Sequence, residues 1–562
     1  MEYDTKIVGG TIVDGTGRER FLGDVGINNG RIAAVGNARG DARETIDAGG
    51  LVIAPGVIDP HTHYDAQVLW DRSLSISPWH GVTTTVMGNC GFGIAPTRSS
   101  DREYIVQTLE VVEGMSANAL RTGLGDWGFE SFEQYLALLQ ARGTAANVAL
   151  YVGHSPIRIH VMGEEAFERE ASAEEIQTMR ALVRSALEAG AIGFSTSGSR
   201  SHVGFRGKPV PSRLANFEET RTLAAVMGEM GRGVFQATVG PNMFYEQFEA
   251  IYADSGRPIT WTALLTGFWG PGSHKHHLDK LTEYRDRGVP IVPQVACRPI
   301  VVEFSFADPA PFLTREFFKP VAQADAAGRA AIYADPAFRA KFKAEYGPQT
   351  VRQLTNWAAR AVISAAPGHS ALDETPLAEE ARRRGVDPVD AALDLALETN
   401  LMARYRIAMS NNLEDEVAEV LGAAGTLIAL SDAGAHASQL CDAPYATHLL
   451  GHWVREKGAM TLEDAVARLT SQPADLFGFA DRGRLERGKA ADIMIFDPKR
   501  VAAAPLRRVR DLPAGEDRLV SDAIGMHLVM VNGKVLRKDG KDQLSARDAL
   551  PGQLLKGRAA AG

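Results

Sequence analysis

The stretch PGVIDPHTHYD (residues 55–65) places two histidines one residue apart, directly after an apolar run. The run LVIAPGVID is typical of a buried β-strand that ends in a loop. Because residues i and i+2 of a strand point to the same side, His61 and His63 are expected to converge on one point. Two convergent imidazoles at a strand end suit a metal ion. The alternative is a pair of turn histidines that form hydrogen bonds with backbone groups. Residues elsewhere in the chain are needed to choose between the two.

Length and composition indicate a soluble enzyme-sized protein. The 562 residues exceed one ordinary domain, and 45% hydrophobic with 23% charged residues is ordinary for a globular chain. The net charge of −9 and the lack of a basic stripe argue against a nucleic-acid partner. Three widely spaced cysteines suit a reducing cytoplasm. Without a signal-peptide pattern or a run of 18 apolar residues, we expect a cytoplasmic protein and no membrane partner.

Both chain ends alternate short β-prone runs with Gly and Asn turns. INNGRI near the start and VNGKV near the end each carry Asn-Gly between apolar residues, which is a hairpin signal. Neither block is long enough to close a good core alone. We therefore expect residues 1–56 and 479–545 to pack together as one small β-sandwich, with the rest of the chain inserted between them.

The middle of the chain repeats a helix followed by a short buried strand. SAEEIQTMRALVRSALEAG begins at an N-cap-like Ser172, ends at Gly190 and is followed by AIGFSTS. Such repeats indicate an α/β fold with a parallel sheet. For residues 57–478 the length of this pattern favours a (β/α)8 barrel with insertions over an open doubly wound sheet, and the lack of GxGxxG after the first strand weakens the dinucleotide-binding alternative. Residues 312–386 are charged and helical, which predicts an insertion over the barrel mouth that acts as a lid.

Three predicted strands carry reactive side chains where each one ends. His61 and His63 close the first strand, GVTTTVMG leads into Cys90, and TLIALSD ends in Asp432. The carboxyl ends of barrel strands share one rim, so these side chains are expected to meet there. Alone, Cys90 could be a small buried hydrophobe and Asp432 could cap a helix. Together with the two histidines, a metal ligand set is favoured.

Seven stretches occur in a fixed order: PGVIDPHTHYD, GVTTTVMGNCGFG, NVALYVGHSPIRIHVMG, GAIGFSTS, LIALSDAGAH, LTSQPADLFGFADRGRLERGKAADIMIFDP and VNGKV. In this order they resemble the amidohydrolase superfamily and, within it, the D-aminoacylases (N-acyl-D-amino-acid deacylases). The resemblance runs nearly end to end and is weakest at residues 312–386. The GNCG element (residues 88–91) makes it specific to this branch.

The resemblance implies an α/β fold with a distorted (β/α)8 TIM barrel, flanked by a small β-sandwich formed by both termini. It also implies zinc held through His61, His63, Cys90 and Asp432, with the cysteine where other superfamily members use a carboxylated lysine. GAIGFSTS carries no lysine, in agreement. The implied activity is metal-dependent hydrolysis of an N-acyl amide, with an N-acyl-D-amino-acid-like substrate.

The chain departs from the family pattern at two places. The family supplies further metal histidines from its fifth and sixth strands, but VFQATV (residues 234–239) and ITWTALLT (residues 259–266) contain none. We therefore predict one tightly bound zinc rather than two. The His-Pro-Arg segment that follows the Asp in the family is also missing, since the chain reads AGAHASQLCDAPYATH. Recognition of a substrate α-carboxylate is therefore open.

Further side chains are candidates for catalysis and binding. Asp432 is predicted to take a proton from the attacking water and hand it to the leaving nitrogen. His154 is predicted to polarise the scissile carbonyl, with a structural role as the alternative, and His202 to replace a missing ligand. HKHH (residues 274–277) is predicted to be a solvated surface cluster. The candidates for binding an acidic substrate group are Arg158, Arg200 and Arg298.

Three other functions stay open at this point. A cyclic-amide hydrolase like the hydantoinases shares the barrel and metal, although the missing lysine counts against it. The same chemistry could act on a xenobiotic or other non-amino-acid amide. A metal-free scaffold relative is the non-enzyme alternative, and self-association as a homo-oligomer is not fixed by the sequence.

Overall fold

The structure is a computed structural model that describes residues 2–268, 270–313, 315–347, 354–545 and 547–557. The chain divides into two units. The larger comprises Met1–Leu264, Lys275–Cys297 and Ala418–Gly562, and the smaller comprises Leu265–His274 and Arg298–Val417. The predicted insertion at residues 312–386 falls within the smaller unit, except that its residues 314 and 348–353 lie outside the described residues.

The β-strands of the described residues, numbered along the chain, are β1 Tyr3–Ile12, β2 Phe21–Asn28, β3 Arg31–Gly36, β4 Ala42–Asp47, β5 Val52–Pro55, β6 Val57–Asp59, β7 Val82–Met87, β8 Asn147–Leu150, β9 Val152–Gly153, β10 Gly193–Ser197, β11 Val234–Thr238, β12 Ile259–Thr262, β13 Ile291–Val295, β14 Ile300–Ser305, β15 Val362–Ala365, β16 Thr375–Pro376, β17 Arg404–Ser410, β18 Leu427–Ile428, β19 Ile493–Phe496, β20 Ala502–Ala503, β21 Arg507–Val509, β22 Arg518–Val520, β23 Ala523–Ile524, β24 Met526–Val531, β25 Lys534–Lys538 and β26 Lys541–Asp542.

The α-helices of the same residues are α1 Arg102–Val112, α2 Ala117–Leu124, α3 Phe132–Arg142, α4 His154–Met162, α5 Ala173–Ala189, α6 Phe217–Glu229, α7 Tyr245–Ser255, α8 His274–Asp286, α9 Lys319–Gln323, α10 Ala326–Ala334, α11 Pro336–Tyr346, α12 Trp357–Arg360, α13 Leu377–Arg384, α14 Pro388–Glu398, α15 Glu414–Gly422, α16 Tyr445–His448, α17 Leu462–Leu469 and α18 Ser471–Phe477. None of these described helices has the length and apolarity needed to cross a bilayer.

Both chain ends contribute strands to one sheet. Its order is β26-β25-β24-β19-β5-β1-β2-β3, with β4 paired to β1. The two predicted Asn-Gly turns join β2 to β3 and β24 to β25, and Asn29 and Asn532 there take positive φ angles of 49° and 46°. The antiparallel pairing of β5 with β19 links the first block to the last, and Ile53 and Ile493 are among the residues that fill the shared core. The two ends therefore share one sheet and one core.

The strands that carry the site belong to two parallel sheets. One has the order β6-β7-β8 and the other β18-β13-β12-β11-β10-β9. Only Tyr151 separates β8 from β9, and a parallel bridge joins Thr62 to Ala433 beyond the ends of β6 and β18. The prediction of helices that alternate with parallel strands is confirmed.

The unit formed by α5 and β10 shows why the sequence folds this way. The Ser172 side chain accepts a hydrogen bond from the Glu175 backbone N–H, and the Glu175 side chain accepts one from that of Ser172. This capping box satisfies two otherwise unpaired donors at the helix start. At the other end the helix stops at Gly190, and Gly193 opens β10 with a φ of 157°, where a Cβ would lie 1.9 Å from the Val234 carbonyl oxygen. Only glycine fits that close approach.

The smaller unit has an aromatic core of its own. Its sheet has the order β14-β17-β15-β16. Phe304, Phe312, Phe342 and Trp357 are buried and make edge-to-face or stacked ring contacts with one another. The strands β15 and β16 add to the helices expected between residues 312 and 386. The sequence pattern misses them because two to four residues are too few to establish an alternation.

Candidate metal centre

His61 and His63 lie in an extended segment that follows β6. The Thr62 backbone N–H donates to the Val86 carbonyl at 3.0 Å, and that of His63 donates to the Ala433 carbonyl at 2.8 Å. The segment is thus held from both sides, and its alternate side chains face the same way. The structure places His61 Nε2 3.3 Å from His63 Nε2, with both residues buried.

Cys90 reaches the same point from the turn that follows β7. The turn Asn89–Gly91 puts Cys90 in the left-handed region, with a φ of 58°, at a cost of about 1–3 kcal/mol for a non-glycine residue. Gln236 on β11 supports this conformation, because its Oε1 accepts a hydrogen bond from the Cys90 backbone N–H at 2.8 Å. Cys90 Sγ then lies 3.3 Å from His61 Nε2.

Asp432 follows the last parallel strand and approaches the histidines from the other side. Its backbone is also left-handed, with a φ of 43°, and the neighbouring Ser431 hydroxyl donates to the His61 carbonyl at 3.0 Å. Asp432 Oδ1 lies 3.4 Å from His61 Nε2. That oxygen is buried and has no hydrogen-bond partner among the described residues. A buried carboxylate oxygen without a partner is costly unless it binds a cation.

The donor spacing fits tetrahedral zinc. Zinc–nitrogen bonds of about 2.0–2.1 Å at a tetrahedral angle put two light-atom donors about 3.3–3.4 Å apart. The observed separations from His61 Nε2 are 3.3 Å to His63 Nε2 and 3.4 Å to Asp432 Oδ1. The donor atoms of His61, His63 and Cys90 all lie within 4.8 Å of one another, and they form the one such group in the described part of the chain. Asp432 lies outside that group and adjoins it through His61.

Burial shifts the pKa of each donor in the direction that favours its neutral form. It lowers the pKa of His61 to about 4 and that of His63 well below its usual range, so both imidazoles are neutral at pH 7 and offer a lone pair. Burial also raises the pKa of the Cys90 thiol, to which Glu113 adds, and raises the pKa of Asp432 to about 6. A bound divalent cation would oppose the last two shifts, because it stabilises a thiolate and a carboxylate. This donor chemistry fits zinc.

Gln294 orients His61 and was missed by the sequence analysis. It lies in β13, is buried, and its Oε1 contacts His61 Nδ1 at 2.5 Å, while its Nε2 donates to Thr260 Oγ1 at 3.3 Å. With the carbonyl oxygen facing the ring, His61 Nδ1 carries the proton and Nε2 is free to act as a ligand. A single glutamine in the buried strand IVPQV was the available signal, because buried polar groups need partners.

Glu113 is a second missed residue, and it is a buried carboxylate. It follows α1, and its Oε1 lies 3.4 Å from His63 Nδ1. Its backbone carbonyl accepts a hydrogen bond from the His436 N–H at 2.5 Å. Burial raises the pKa of Glu113 well above its usual range, with Asp432 adding to the shift. Nothing in the sequence marks Glu113, because it ends a helix rather than a strand.

Threonines end the two strands that lack the expected histidines. Thr238 is the last residue of β11 and Thr262 the last of β12. Both threonines act against the larger effect of burial, which raises the pKa of the Cys90 thiol. Thr262 Oγ1 also accepts a hydrogen bond from Gln236 Nε2 at 2.9 Å. Neutral hydroxyls are poor zinc ligands compared with imidazole or thiolate.

His154 and Arg158 both form hydrogen bonds with Glu219. His154 Nδ1 pairs with Thr196 Oγ1 at 2.8 Å and Nε2 with Glu219 Oε1 at 2.9 Å, so both ring nitrogens have partners. Arg158 Nη1 contacts the two carboxylate oxygens of the same glutamate at 2.5 Å each. All three side chains are fully buried. This geometry favours a structural network over the predicted carbonyl polarisation and substrate binding.

The remaining predicted residues have different settings. His202 Nδ1 pairs with Ser197 Oγ at 2.7 Å, and the ring is near enough to His63 to lower the pKa of that imidazole. His202 is not a member of the group of donor atoms found among the described residues. Arg200 lies exposed in the loop after β10. Arg298 is half-buried in the smaller unit, where its backbone carbonyl accepts a hydrogen bond from Asn411 Nδ2 at 2.8 Å.

The HKHH cluster is not the solvated patch that the sequence predicts. His274 and His277 are buried, and only His276 of the three histidines is exposed. His277 Nδ1 pairs with the Tyr245 hydroxyl at 2.6 Å. The prediction is wrong because spacing i and i+3 puts His274 and His277 on one face of α8, and that face is buried.

Several known proteins are similar to this chain in sequence or in structure. The model of the Amidohydrolase family matches residues 44–537. A D-aminoacylase from Alcaligenes xylosoxydans xylosoxydans is 29% identical over 535 residues, which cover 94% of each chain. A solved D-aminoacylase, described as having a binuclear metal centre with one-metal activation and second-metal attenuation, matches with a TM-score of 0.67 and 27% identity over 99% of this chain and 100% of that one.

A third relative carries a metal and an inhibitor. The crystal structure of N-acyl-D-glutamate deacylase from Bordetella bronchiseptica, complexed with zinc and a phosphonate mimic of the tetrahedral intermediate, has a TM-score of 0.65 and 28% identity over 99% of this chain and 100% of that one. The resemblance to the D-aminoacylases that the motifs indicate is thereby confirmed. The chain belongs to the amidohydrolase family.

Proposed function

We propose that the chain is a zinc-dependent hydrolase that cleaves the amide bond of N-acyl-D-amino-acid-like substrates. The observation that carries the proposal is the convergence of His61, His63 and Cys90 donor atoms within 4.8 Å, with the Asp432 carboxylate 3.4 Å from His61. The relatives named above support the substrate class, because they are deacylases of N-acyl-D-amino acids by name.

The metal is proposed to be one zinc ion per chain, held by His61, His63, Cys90 and Asp432. The threonines at the ends of β11 and β12 support one ion, because they face the thiol where a second ion would need stronger ligands. The binuclear centre of the similar D-aminoacylase is the contrasting case. Cys90 would then act as an ordinary ligand.

Zinc, when bound, supplies Lewis acidity that lowers the pKa of water and polarises a carbonyl. The imidazoles of His61 and His63 stay neutral at pH 7 and act only as ligands. With a pKa raised to about 6 by burial, Asp432 is still a carboxylate at neutral pH. It can take a proton from the attacking water and pass it to the leaving amine nitrogen. A cavity of about 30 Å³ beside Asp432 has room for one water molecule.

The proposed architecture is a (β/α)8 barrel with a terminal β-sandwich. The two parallel sheets, with only Tyr151 between β8 and β9 and the Thr62–Ala433 bridge at the other side, support a closed ring of eight strands. The sheet built by both termini supports the sandwich. In such a barrel the carboxyl ends of the strands form the active-site face, which is where the four donors lie.

The test is turnover of a substrate panel by the zinc-loaded protein. The panel contains N-acetyl-D-amino acids, N-acetyl-L-amino acids, acetanilide and hydantoin. We expect hydrolysis of the first class, with a loss of at least about 100-fold in kcat for Asp432→Asn because the proton acceptor is removed. Asp475→Asn, which removes a carboxylate from a surface ion pair with Arg484, is the charge-matched control.

The same panel separates the competing functions. Ring opening of hydantoin alone would show a cyclic-amide hydrolase, and cleavage of acetanilide alone would show an enzyme for non-amino-acid amides. Absence of both turnover and bound zinc would show a scaffold. Near-normal turnover by Asp432→Asn would refute the proton-transfer role.

A further inference from the structure

We propose that the cavity between the ends of β10 and β11 and the start of α6 binds a carboxylate group of the substrate through Arg213 and Arg200. The inference rests on the proposed hydrolase function and deepens it by naming an anionic substrate class. The cavity has a volume of about 300 Å³. That is in the range of small-molecule pockets and exceeds the needs of a single carboxylate.

The cavity wall is cationic and polar. Among the described residues that line it, two are arginines and none is acidic. The polar side chains of Ser197, Ser212 and Asn242 complete much of the rim. Ser197 is the last residue of β10 and Asn242 follows β11, so both lie at the carboxyl ends of parallel strands, as the donors of the metal centre do.

The two guanidinium groups lack compensating charge. Within the described residues, neither Arg213 nor Arg200 has a carboxylate within ion-pair distance, whereas most neighbouring arginines do. Arg213 donates one hydrogen bond, from Nη1 to the His202 carbonyl at 2.9 Å. A guanidinium has five N–H donors, so most of those on Arg213 are available to a ligand.

Arg200 also disfavours the positive charge of Arg213. Burial lowers the pKa of Arg213, and the positive charge of Arg200 lowers it further. Placing two uncompensated cations at one cavity is unfavourable unless an anion binds between them. A carboxylate suits the pair, since guanidinium groups bind planar oxyanions with two parallel hydrogen bonds.

The nearest carboxylates on α6 and its surroundings are already engaged. Glu219 accepts from Arg158 and His154, and Glu218 contacts Arg221 at 3.4 Å. Glu170 accepts a hydrogen bond from the Asn216 side chain at 2.8 Å. These three carboxylates are therefore engaged elsewhere, and no acidic residue is among the described residues that line the cavity.

The cavity adjoins the metal centre through β10. Its lining residue Thr196 is packed so closely on the turn that carries Cys90 that a Cβ on Gly91 would lie 2.8 Å from the Thr196 Cα. The next residue, Ser197, binds the His202 ring at 2.7 Å. In the proposed binding mode, the scissile amide lies at the zinc ligands and the carboxylate of the same substrate enters the cavity. The cavity would then take the role of the family's His-Pro-Arg segment, which this chain lacks.

The experiment compares acids with their matched amides on the zinc-loaded enzyme. N-acetyl-D-leucine against N-acetyl-D-leucinamide tests an α-carboxylate, and N-acetyl-D-glutamate against N-acetyl-D-glutamine tests a side-chain carboxylate. For Arg213→Gln we expect the kcat/KM of the acid to fall about 10- to 100-fold, mainly through KM, while that of its amide changes less than about threefold. Arg213→Lys should recover part of the loss.

Two further variants keep the inference falsifiable. Arg200→Gln removes the exposed member of the pair, for which the described structure shows no hydrogen bond. It should lower the ratio of kcat/KM for the acid to kcat/KM for its amide about 3- to 10-fold. Arg206→Gln removes a positive charge from the same loop outside the cavity and should leave the ratio unchanged.

The outcomes separate the two ideas. A loss confined to the leucine pair assigns the α-carboxylate to the cavity, and one confined to the glutamate pair assigns the side chain. Equal losses for acid and amide, or no loss in Arg213→Gln and Arg200→Gln, would overturn the carboxylate site. Wild-type protein that cleaves none of the four compounds would instead refute the proposed function.

Discussion

Replacing Gln294 by leucine should weaken zinc binding without changing any zinc ligand. Gln294 Oε1 contacts His61 Nδ1 at 2.5 Å, and both side chains are almost inaccessible, with exposures of 0% and 1%. Leucine is similar in size but cannot accept a hydrogen bond from the His61 Nδ1–H. The ring would then lose the partner that fixes its tautomer, and a rotated or flipped imidazole no longer presents Nε2 to His63 and Cys90.

The size of the effect follows from the burial of this hydrogen bond. Loss of a partner that orients a metal-binding histidine typically lowers metal affinity about 10- to 100-fold, which is about 1.4–2.7 kcal/mol. The buried His61 N–H left without an acceptor costs about 1–3 kcal/mol in the folded protein, whether or not metal is bound. We therefore expect a weaker zinc complex and a lower melting temperature of the metal-depleted protein.

Competition with a chromophoric chelator measures the zinc dissociation constant of each variant. Thr260→Val is the matched control, because it removes the other partner of Gln294, at 3.3 Å from Nε2, and leaves His61 untouched. Its zinc affinity should stay within about threefold of the wild type. A dissociation constant of Gln294→Leu within twofold of wild type would refute the view that this amide orients the ligand.

Two further predictions concern metal content and acid stability. Elemental analysis of purified protein should give about one zinc per chain, because Thr238 and Thr262 offer hydroxyls where a second ion would need imidazoles; a ratio near two would contradict this. Glu380 accepts hydrogen bonds from Arg383 and Arg384, Arg383 being the larger cause of the fall in its pKa to about 2. This interaction stabilises the folded state above the ordinary glutamate pKa and is lost as the pH falls toward 2, so Glu380→Gln should cost about 1 kcal/mol at pH 7 and almost nothing near pH 2. Denaturant midpoints at both pH values measure it, the exposed Glu379→Gln is the control, and a cost that persists at low pH would contradict the reasoning.

The local pattern of the sequence was enough to predict several helices and turns. The helix that starts after Ser172 and stops at Gly190 follows from its capping box and terminal glycine. The Asn-Gly turns also follow, because asparagine and glycine tolerate the positive φ that these hairpins need. The strands β15 and β16 could not be predicted, because their pairing with distant strands, and not their own residues, defines them.

The strand-end rule, by which side chains at the carboxyl ends of parallel strands meet at one rim, located the donor residues. It did not locate the side chains that orient those donors. His61, His63, Cys90 and Asp432 each follow an apolar run, and parallel strands bring such ends to one edge. Glu113 escapes the rule because it ends α1, so its approach to His63 depends on tertiary packing alone. The same limit applies to His154, whose position after a strand resembles that of a ligand although Glu219 and Thr196 engage both of its ring nitrogens.

Amide side chains inside apolar strands carry information that the strand-end rule omits. Gln236 and Gln294 are amide side chains inside buried strands, VFQAT and IVPQV, and burial obliges such groups to find partners. In this structure the partners are the Cys90 backbone N–H and the His61 ring. The glutamines therefore lie beneath the donors and fix the two features on which ligation depends, a left-handed cysteine and a defined imidazole tautomer. A chain could keep all four donors and still bind zinc poorly if these two amides were lost, so a sequence should be searched for donor and amide together.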